Sequence, residues 1–388
     1  MLDRQSQLDR GALISQNALS IVWRQGQYVV DLRKGKSVTK RQLLFSLGKY
    51  GVGIALLAFV IWRNWSPSAN GSPGIADTIT KPLHLVPLLA AIVIFGLGLL
   101  LTFYRWYLLV LAQKLSFTLA SAFRLGLVGF FLSSFLPGSI GGDIVKAYAI
   151  AREQSRRTVA VATVLIDRVM GLLGLIWLVA ILGGAFWVFG AEAVTQNKDL
   201  QLIVICSVVI VVASVVFWLL LGVLPAWRAD RFARRLEKGS RIGHAAAELW
   251  RALWMYRLQG WTMFLALAMS VVGHVCFVMS FYFSAKVFGD ADTAAHLPSL
   301  TEHFLIIPVG LAIQAVPLAP GGVGLGEYSF GKLYALVGYS EASGVLASLA
   351  YRIIGWGVGL VGYGVYLRMR PALKTIENED KNLVAVEA

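Results

Sequence analysis

Across 388 residues the chain is 57% hydrophobic and only 14% charged, with a mean hydropathy of +0.69. Water cannot be the solvent around most of such a chain, which excludes an ordinary soluble domain and leaves a polytopic membrane protein. The net charge of +14 would suit a nucleic-acid binder, but Lys and Arg collect in alternate loops, as the positive-inside bias requires, and nucleic acid is excluded as a partner.

In chain order, residues 1–42 form a basic segment with eight Lys and Arg before Leu43. A surface-lying amphipathic helix around Leu13 to Leu32 and a disordered tail fit it about equally. An early apolar core followed by a small-residue cleavage site is missing, so the first span is expected to remain as an anchor. Apolar runs long enough to cross a bilayer occur at Leu43 to Trp62, Leu85 to Tyr104, Val159 to Phe189, Gln201 to Leu224, Trp261 to Phe283 and Ala342 to Leu367, giving six full spans. Two further apolar segments, Phe117 to Leu136 and His303 to Leu318, run into glycine turns and are followed by short amphipathic helices. They read as re-entrant or broken hairpins, each returning the chain to its starting side. Between the fourth and fifth spans lies a basic loop, 225–260, carrying eight Lys and Arg and bordered by Trp227, Trp250, Trp254 and Trp261, which read as an interfacial belt. Its charge serves topology and also suits attraction to anionic headgroups. The fold class is therefore an all-α polytopic membrane protein: a cytoplasmic segment 1–42, a membrane domain 43–367 with repeat units at about 117–190 and 302–367, and a cytoplasmic polar tail 368–388. The charge bias places both termini on the cytoplasmic side of the cell membrane.

The two glycine turns are versions of each other. Leu136 to Asp143 reads Leu-Pro-Gly-Ser-Ile-Gly-Gly-Asp, and Ala319 to Glu327 reads Ala-Pro-Gly-Gly-Val-Gly-Leu-Gly-Glu. Downstream, Lys146-Ala-Tyr148 is echoed by Lys332-Leu-Tyr334, and Asp167-Arg168 by Tyr351-Arg352. With one hairpin entering from the cytoplasm and the other from outside, the units are inverted, the arrangement on which alternating access is built. Gly138, Gly141, Gly142, Gly321, Gly322 and Gly324 permit close backbone approach, and each returning helix begins there with free N–H groups that suit a phosphate. Asp143 also reads as a helix cap, a role for which Glu327 is poorer. Lys146 and Lys332 read by default as local partners of these acids. Arg168 and Arg352 lie inside apolar spans, where a guanidinium needs a partner or a wet cavity; structural glue and substrate contact are equally open. Asp167, adjacent to Arg168, diverges from it on a helix and pairs elsewhere. Arg105 and Lys286 read as snorkelling side chains at span ends. His274, Glu302, His303 and Gln314 are candidates for interhelical hydrogen bonding or a proton relay. Cys206 and Cys276 lie within spans, so neither a disulfide framework nor a metal site is readable, and no cofactor is implied.

The phrase Phe135 to Asp143, followed by Val145-Lys-Ala-Tyr, then Asp167-Arg168, then Pro320 to Glu327, resembles the lysylphosphatidylglycerol synthase transmembrane-region family over about Leu43 to Leu367. The resemblance implies a flippase-like membrane domain, as in the multiple peptide resistance factor, with Asp143, Lys146, Asp167, Arg168, Glu327 and Arg352 around a lipid-headgroup cavity. The full synthases continue into a large soluble aminoacyl-transfer domain, whereas this chain ends about twenty residues after its last span, so it is not expected to make lysyl lipid by itself. Three functions stay open. The first is a lipid transporter for an anionic or modified phospholipid, the second a transferase using lipid-linked donors, and the third a non-catalytic partner of a separate lipid-modifying enzyme. An oligomer is compatible with all three.

Overall fold

The computed structural model describes residues 40–67, 73–135, 141–154, 156–237, 241–288, 297–316 and 320–386. The Leu13 to Leu32 segment, Gly138 with its neighbours 136–140, and residues 317–319 lie outside the described residues. The described chain is helical, apart from one isolated bridge between Leu83 and Phe288.

Among the described residues five helices are long and apolar enough to cross a membrane: α3 (Leu85–Ala112), α6 (Arg157–Val188), α8 (Lys198–Val223), α11 (Gly260–Ala285) and the Glu341–Arg368 part of α14 (Glu341–Val386). The sixth expected span is α1 (Lys40–Arg63), whose apolar section covers Tyr50–Arg63. α14 continues as helix through the segment expected as a separate polar tail. The apolar segments leading into the glycine turns are α4 (Leu119–Phe135) and α12 (Leu300–Gln314), followed by α5 (Gly141–Glu153) and α13 (Leu325–Leu336). At 1.5 Å per residue the longest of these four is about 26 Å, short of a hydrocarbon core of about 30 Å. Two very short helices, α2 (Ile75–Ile79) and α7 (Glu192–Thr195), sit in connections. The basic 225–260 segment is a helical hairpin, α9 (Ala226–Glu237) and α10 (Arg241–Tyr256), rather than an open loop. α10 docks through Tyr256, whose hydroxyl donates to the Leu109 carbonyl at 2.8 Å.

The packing is self-similar. α3 lies along α11, α4 along α14 and α12 along α6, while α4 with α5 and α12 with α13 form hairpins that rest on α6 and α14 respectively. Exchanging α3–α6 for α11–α14 leaves this pattern unchanged. α3 and α11 run antiparallel: the Ser280 hydroxyl donates to the Ala91 carbonyl at 2.8 Å, and His84 N–H to the Val287 carbonyl at 2.9 Å.

Each hairpin is closed at its base. Gln154, after α5, donates to the Ser116 carbonyl before α4 at 2.5 Å; Tyr339, after α13, donates to Glu302 of α12 at 3.3 Å. α6 starts at the first base, beside Gln154, and runs 32 residues to the segment whose Asn197 donates to the Leu336 carbonyl of the second base. The two hairpins therefore open from opposite ends of the bundle. Apolar surface locks the second unit, where Leu305, Ile306, Ile307, Phe330 and Tyr334 are fully buried, more completely than the first.

Two acid and arginine pairs as the candidate site

In the second unit, the turn before α13 puts Gly321, Gly322 and Gly324 at φ of 56°, 66° and 80°, a left-handed conformation that favours glycine. This frees three backbone groups that a regular helix would have used. The Gly324 N–H donates to Glu327 Oε2 at 2.7 Å, so Glu327 caps its helix, contrary to the expectation of a poor cap. Its other oxygen accepts from Arg352 Nε. Arg352 then spends Nη1 on the Gly321 carbonyl at 2.8 Å and Nη2 on the Gly322 carbonyl at 3.1 Å. Glu327 is fully buried and the Arg352 side chain nearly so. Charge, donors and acceptors close on one another, and the glycine turn is tied to the spanning helix.

The first unit holds the corresponding pair at the same sequence separation, 25 residues, between Asp143 of α5 and Arg168 of α6. Here the Arg168 side chain is 44% exposed, against 6% for Arg352. The pair also belongs to a longer chain of charge. Lys146 Nζ stands 3.9 Å from Asp143 and 3.6 Å from Asp167, and 4.2 Å above the Trp106 ring, which adds a cation–π attraction. Asp167 accepts from Arg105 Nε at 2.9 Å; Arg105 also donates to the Asp167 carbonyl at 3.1 Å and to the Ser270 hydroxyl at 2.5 Å. Three cations, Arg105, Lys146 and Arg168, face two carboxylates, Asp143 and Asp167, a formal excess of one positive charge. The α5 helix comes this close because it lies against α4 at Gly142, where a Cβ would fall 1.8 Å from the Gly129 carbonyl oxygen.

The common separation corrects the register read from the sequence. With Asp143 matched to Glu327 and Arg168 to Arg352, Lys146 corresponds to Phe330 and Asp167 to Tyr351, and Lys332 has no acidic partner in the turn. Lys332 pairs instead with Glu341 at 2.5 Å on a partly exposed edge, outside the site. Phe330 and Tyr351 pack on Phe281, at ring separations of 4.6 and 5.3 Å. Where the first unit carries a lysine and an aspartate, the second carries aromatic core.

The ends of the two hairpins meet. Tyr50 of α1 donates to the Phe135 carbonyl at 2.9 Å, one of the last carbonyls of α4, which lack helical partners. Gly324 abuts Gly53 and Leu56 of the same helix, and Gly321 abuts the Ser134 carbonyl. Both tips thus rest on the middle of α1. Of the predicted residues, Asp143, Lys146, Asp167 and Arg168 converge with Gly142 beside them; Glu327, Arg352, Gly321, Gly322 and Gly324 form the second cluster; Gly141 opens α5.

Arg105, Trp106 and Ser270 were not singled out as site residues. Arg105 was read as a snorkelling end residue, but α3 continues to Ala112, which leaves it about two turns inside the helix and 4% exposed. The signal was present as a third arginine beside an apolar run and as Asp167, an aspartate expected to pair away from its neighbour. His274 borders the cluster, with Nε2 2.9 Å from the Gly171 carbonyl and a buried Nδ1 lacking a partner among the described residues. His303 is interhelical glue, bound to Tyr334 at 2.8 Å.

A family model described as the lysylphosphatidylglycerol synthase TM region matches residues 47–362. No curated protein matches the chain.

Proposed function

Because the chain belongs to the lysylphosphatidylglycerol synthase TM-region family, we propose that this multi-pass membrane protein is a lipid transporter, carrying an anionic or modified phospholipid headgroup past the bilayer midplane between two inverted, re-entrant hairpins. The acyl chains stay in the membrane while the headgroup uses the Asp143, Lys146, Asp167 and Arg168 cluster. The basic α9–α10 side is cytoplasmic on this reading, and the membrane is the cell membrane.

One observation carries the proposal: the two arginine pairs occupy equivalent positions, yet one is sealed and the other is open. Arg168 and Arg352 each stand eleven residues after the first residue of their helices, Arg157 and Glu341. At 1.5 Å per residue that is about 16 Å, half of a hydrocarbon core. Two arginines approached from opposite ends of the bundle would then share one depth, as a site at a repeat interface requires. A purely structural pair has no reason to leave 44% of its guanidinium side chain exposed in so apolar a helix. The excess positive charge of the first cluster favours a phosphate-bearing ligand, which arginine can hold through paired hydrogen bonds.

The test is headgroup translocation of labelled anionic or aminoacylated phospholipid in proteoliposomes. Arg168→Gln is expected to slow translocation at least tenfold while leaving the protein monodisperse. Translocation no faster than in protein-free vesicles would remove the transporter reading.

A further inference from the structure

Away from the hairpins, α9 presents an unusual surface. Ala229 and Ala233 are buried on one face, and the opposite face carries Arg228 and Arg231 beside the exposed ring of Trp227, with Arg235 about two turns further along. Arg228 and Arg231 lie 4.9 and 5.0 Å from that ring. Among the described residues no carboxylate stands within ion-pair distance of these three guanidinium groups. Behind them Trp250 is fixed by a bond from its indole N–H to the Ala229 carbonyl at 3.1 Å and by edge contact with Phe232 at 4.7 Å. Together these residues and Leu224 line a cavity of about 420 Å³.

We infer that this cavity binds the phosphate of an anionic phospholipid whose acyl chains run along α8. The cavity begins at Leu224, immediately beyond the last residue of that membrane-crossing helix. Just before it, Leu219, Leu220 and Val223 are 65%, 66% and 84% exposed, an apolar track leading away from the arginines. A free phosphate would use the arginines and ignore the track; a lipid uses both. The guanidinium forks match phosphate oxygens, and the tryptophans suit the headgroup level, where one end of the ring is apolar and the other wet. The site is independent of the Arg168 cluster and does not rest on the transport reading.

Native mass spectrometry of the full chain, purified in detergent and titrated with phosphatidylglycerol or phosphatidylcholine, tests this. Phosphatidylglycerol is expected to be retained preferentially, with affinity falling about fivefold for each arginine replaced by glutamine. The Arg228→Gln, Arg231→Gln and Arg235→Gln single variants stand beside the triple variant, so that a folding defect in the triple leaves the measurement intact. Lys332→Gln, on a partly exposed edge outside both clusters, should retain the lipid unchanged. Equal retention of the two lipids, or retention unaltered in every arginine variant, overturns the assignment. Displacement of the lipid by millimolar inorganic phosphate would make the cavity a soluble-anion site and overturn the lipid assignment as well.

Discussion

The two arginines at equivalent positions should respond in opposite ways to the same substitution. Arg352→Gln removes the only charge that, among the described residues, pairs with the fully buried Glu327, and takes donors from the Gly321 and Gly322 carbonyls. Breaking a buried pair from one side costs about 3–5 kcal/mol, because the remaining charge is left in a low-dielectric setting. That lowers the ratio of folded to unfolded protein by about two to three and a half decades. Arg168→Gln acts on a side chain that is 44% exposed, so solvent screening limits the contribution of its ion pair to about 0.2–1 kcal/mol. The assay is the fraction of each variant that stays monodisperse on size exclusion after heating across a temperature series, measured beside translocation in proteoliposomes. Arg352→Gln should fail early in heating, whereas Arg168→Gln should survive like the parent and lose translocation. If Arg352→Gln resists heat as well as the parent, or if the two variants are equally unstable, the distinction between a lock and a site is refuted.

Four further outcomes follow from the same geometry. Asp167→Asn strands the buried Arg105 and should cost about 3–5 kcal/mol; adding Arg105→Met should restore much of the heat resistance without restoring translocation, since apolar replacement of a buried pair is often close to neutral. Gly142→Ala drives a methyl into the Gly129 carbonyl and should lower the melting temperature strongly, whereas Gly184→Ala, with open space around it, should leave it unchanged. Lys332→Gln disturbs a partly exposed pair with Glu341 and a long cation–π contact with Tyr328, and should leave both stability and translocation within error of the parent. In hydrogen exchange followed by mass spectrometry, peptides from α4–α5 should exchange faster than peptides from α12–α13, because the second hairpin buries larger apolar side chains and carries the sealed pair.

The spans and both hairpins were legible because solvent dictates them. A bilayer demands long apolar runs, and a proline and glycine break inside such a run must be satisfied by protein, so Leu136 to Asp143 and Ala319 to Glu327 announced themselves. The partnering of Asp167 away from Arg168 also followed, from the divergence of adjacent residues on a helix. What the text of the chain obscured was register. Lys146 and Lys332 match as letters, each two residues before a tyrosine, but the constraint that survives in three dimensions is the separation of acid and arginine, and it sets Lys146 against Phe330. Arg105 was misjudged because a hydropathy run ends at the first charged residue while the helix does not. Exposure is the remaining gap: Arg168 and Arg352 sit in similar apolar surroundings in the chain, and only packing separates the open pair from the sealed one.

That separation bears on how a duplicated unit can work as a carrier. Two perfectly equivalent hairpins would hold a headgroup with equal strength on either side, and binding alone would give no preference for moving one past the other. Here the second unit has replaced the lysine and aspartate positions with Phe330 and Tyr351, converting polar surface into core packed on Phe281. Its glycine turn is held by four charge-assisted or backbone contacts among Glu327, Arg352 and the turn itself. In the first unit the side chain of Arg168, paired with Asp143, is 44% exposed, so water or a ligand can reach it. On the proposed function, the second hairpin is the fixed wall against α1 and the first is the element free to exchange Asp143 for a phosphate at Arg168. The exchange need not cost a buried charge, because Lys146 already stands within 4 Å of both Asp143 and Asp167 and can neutralise the carboxylate that Arg168 releases.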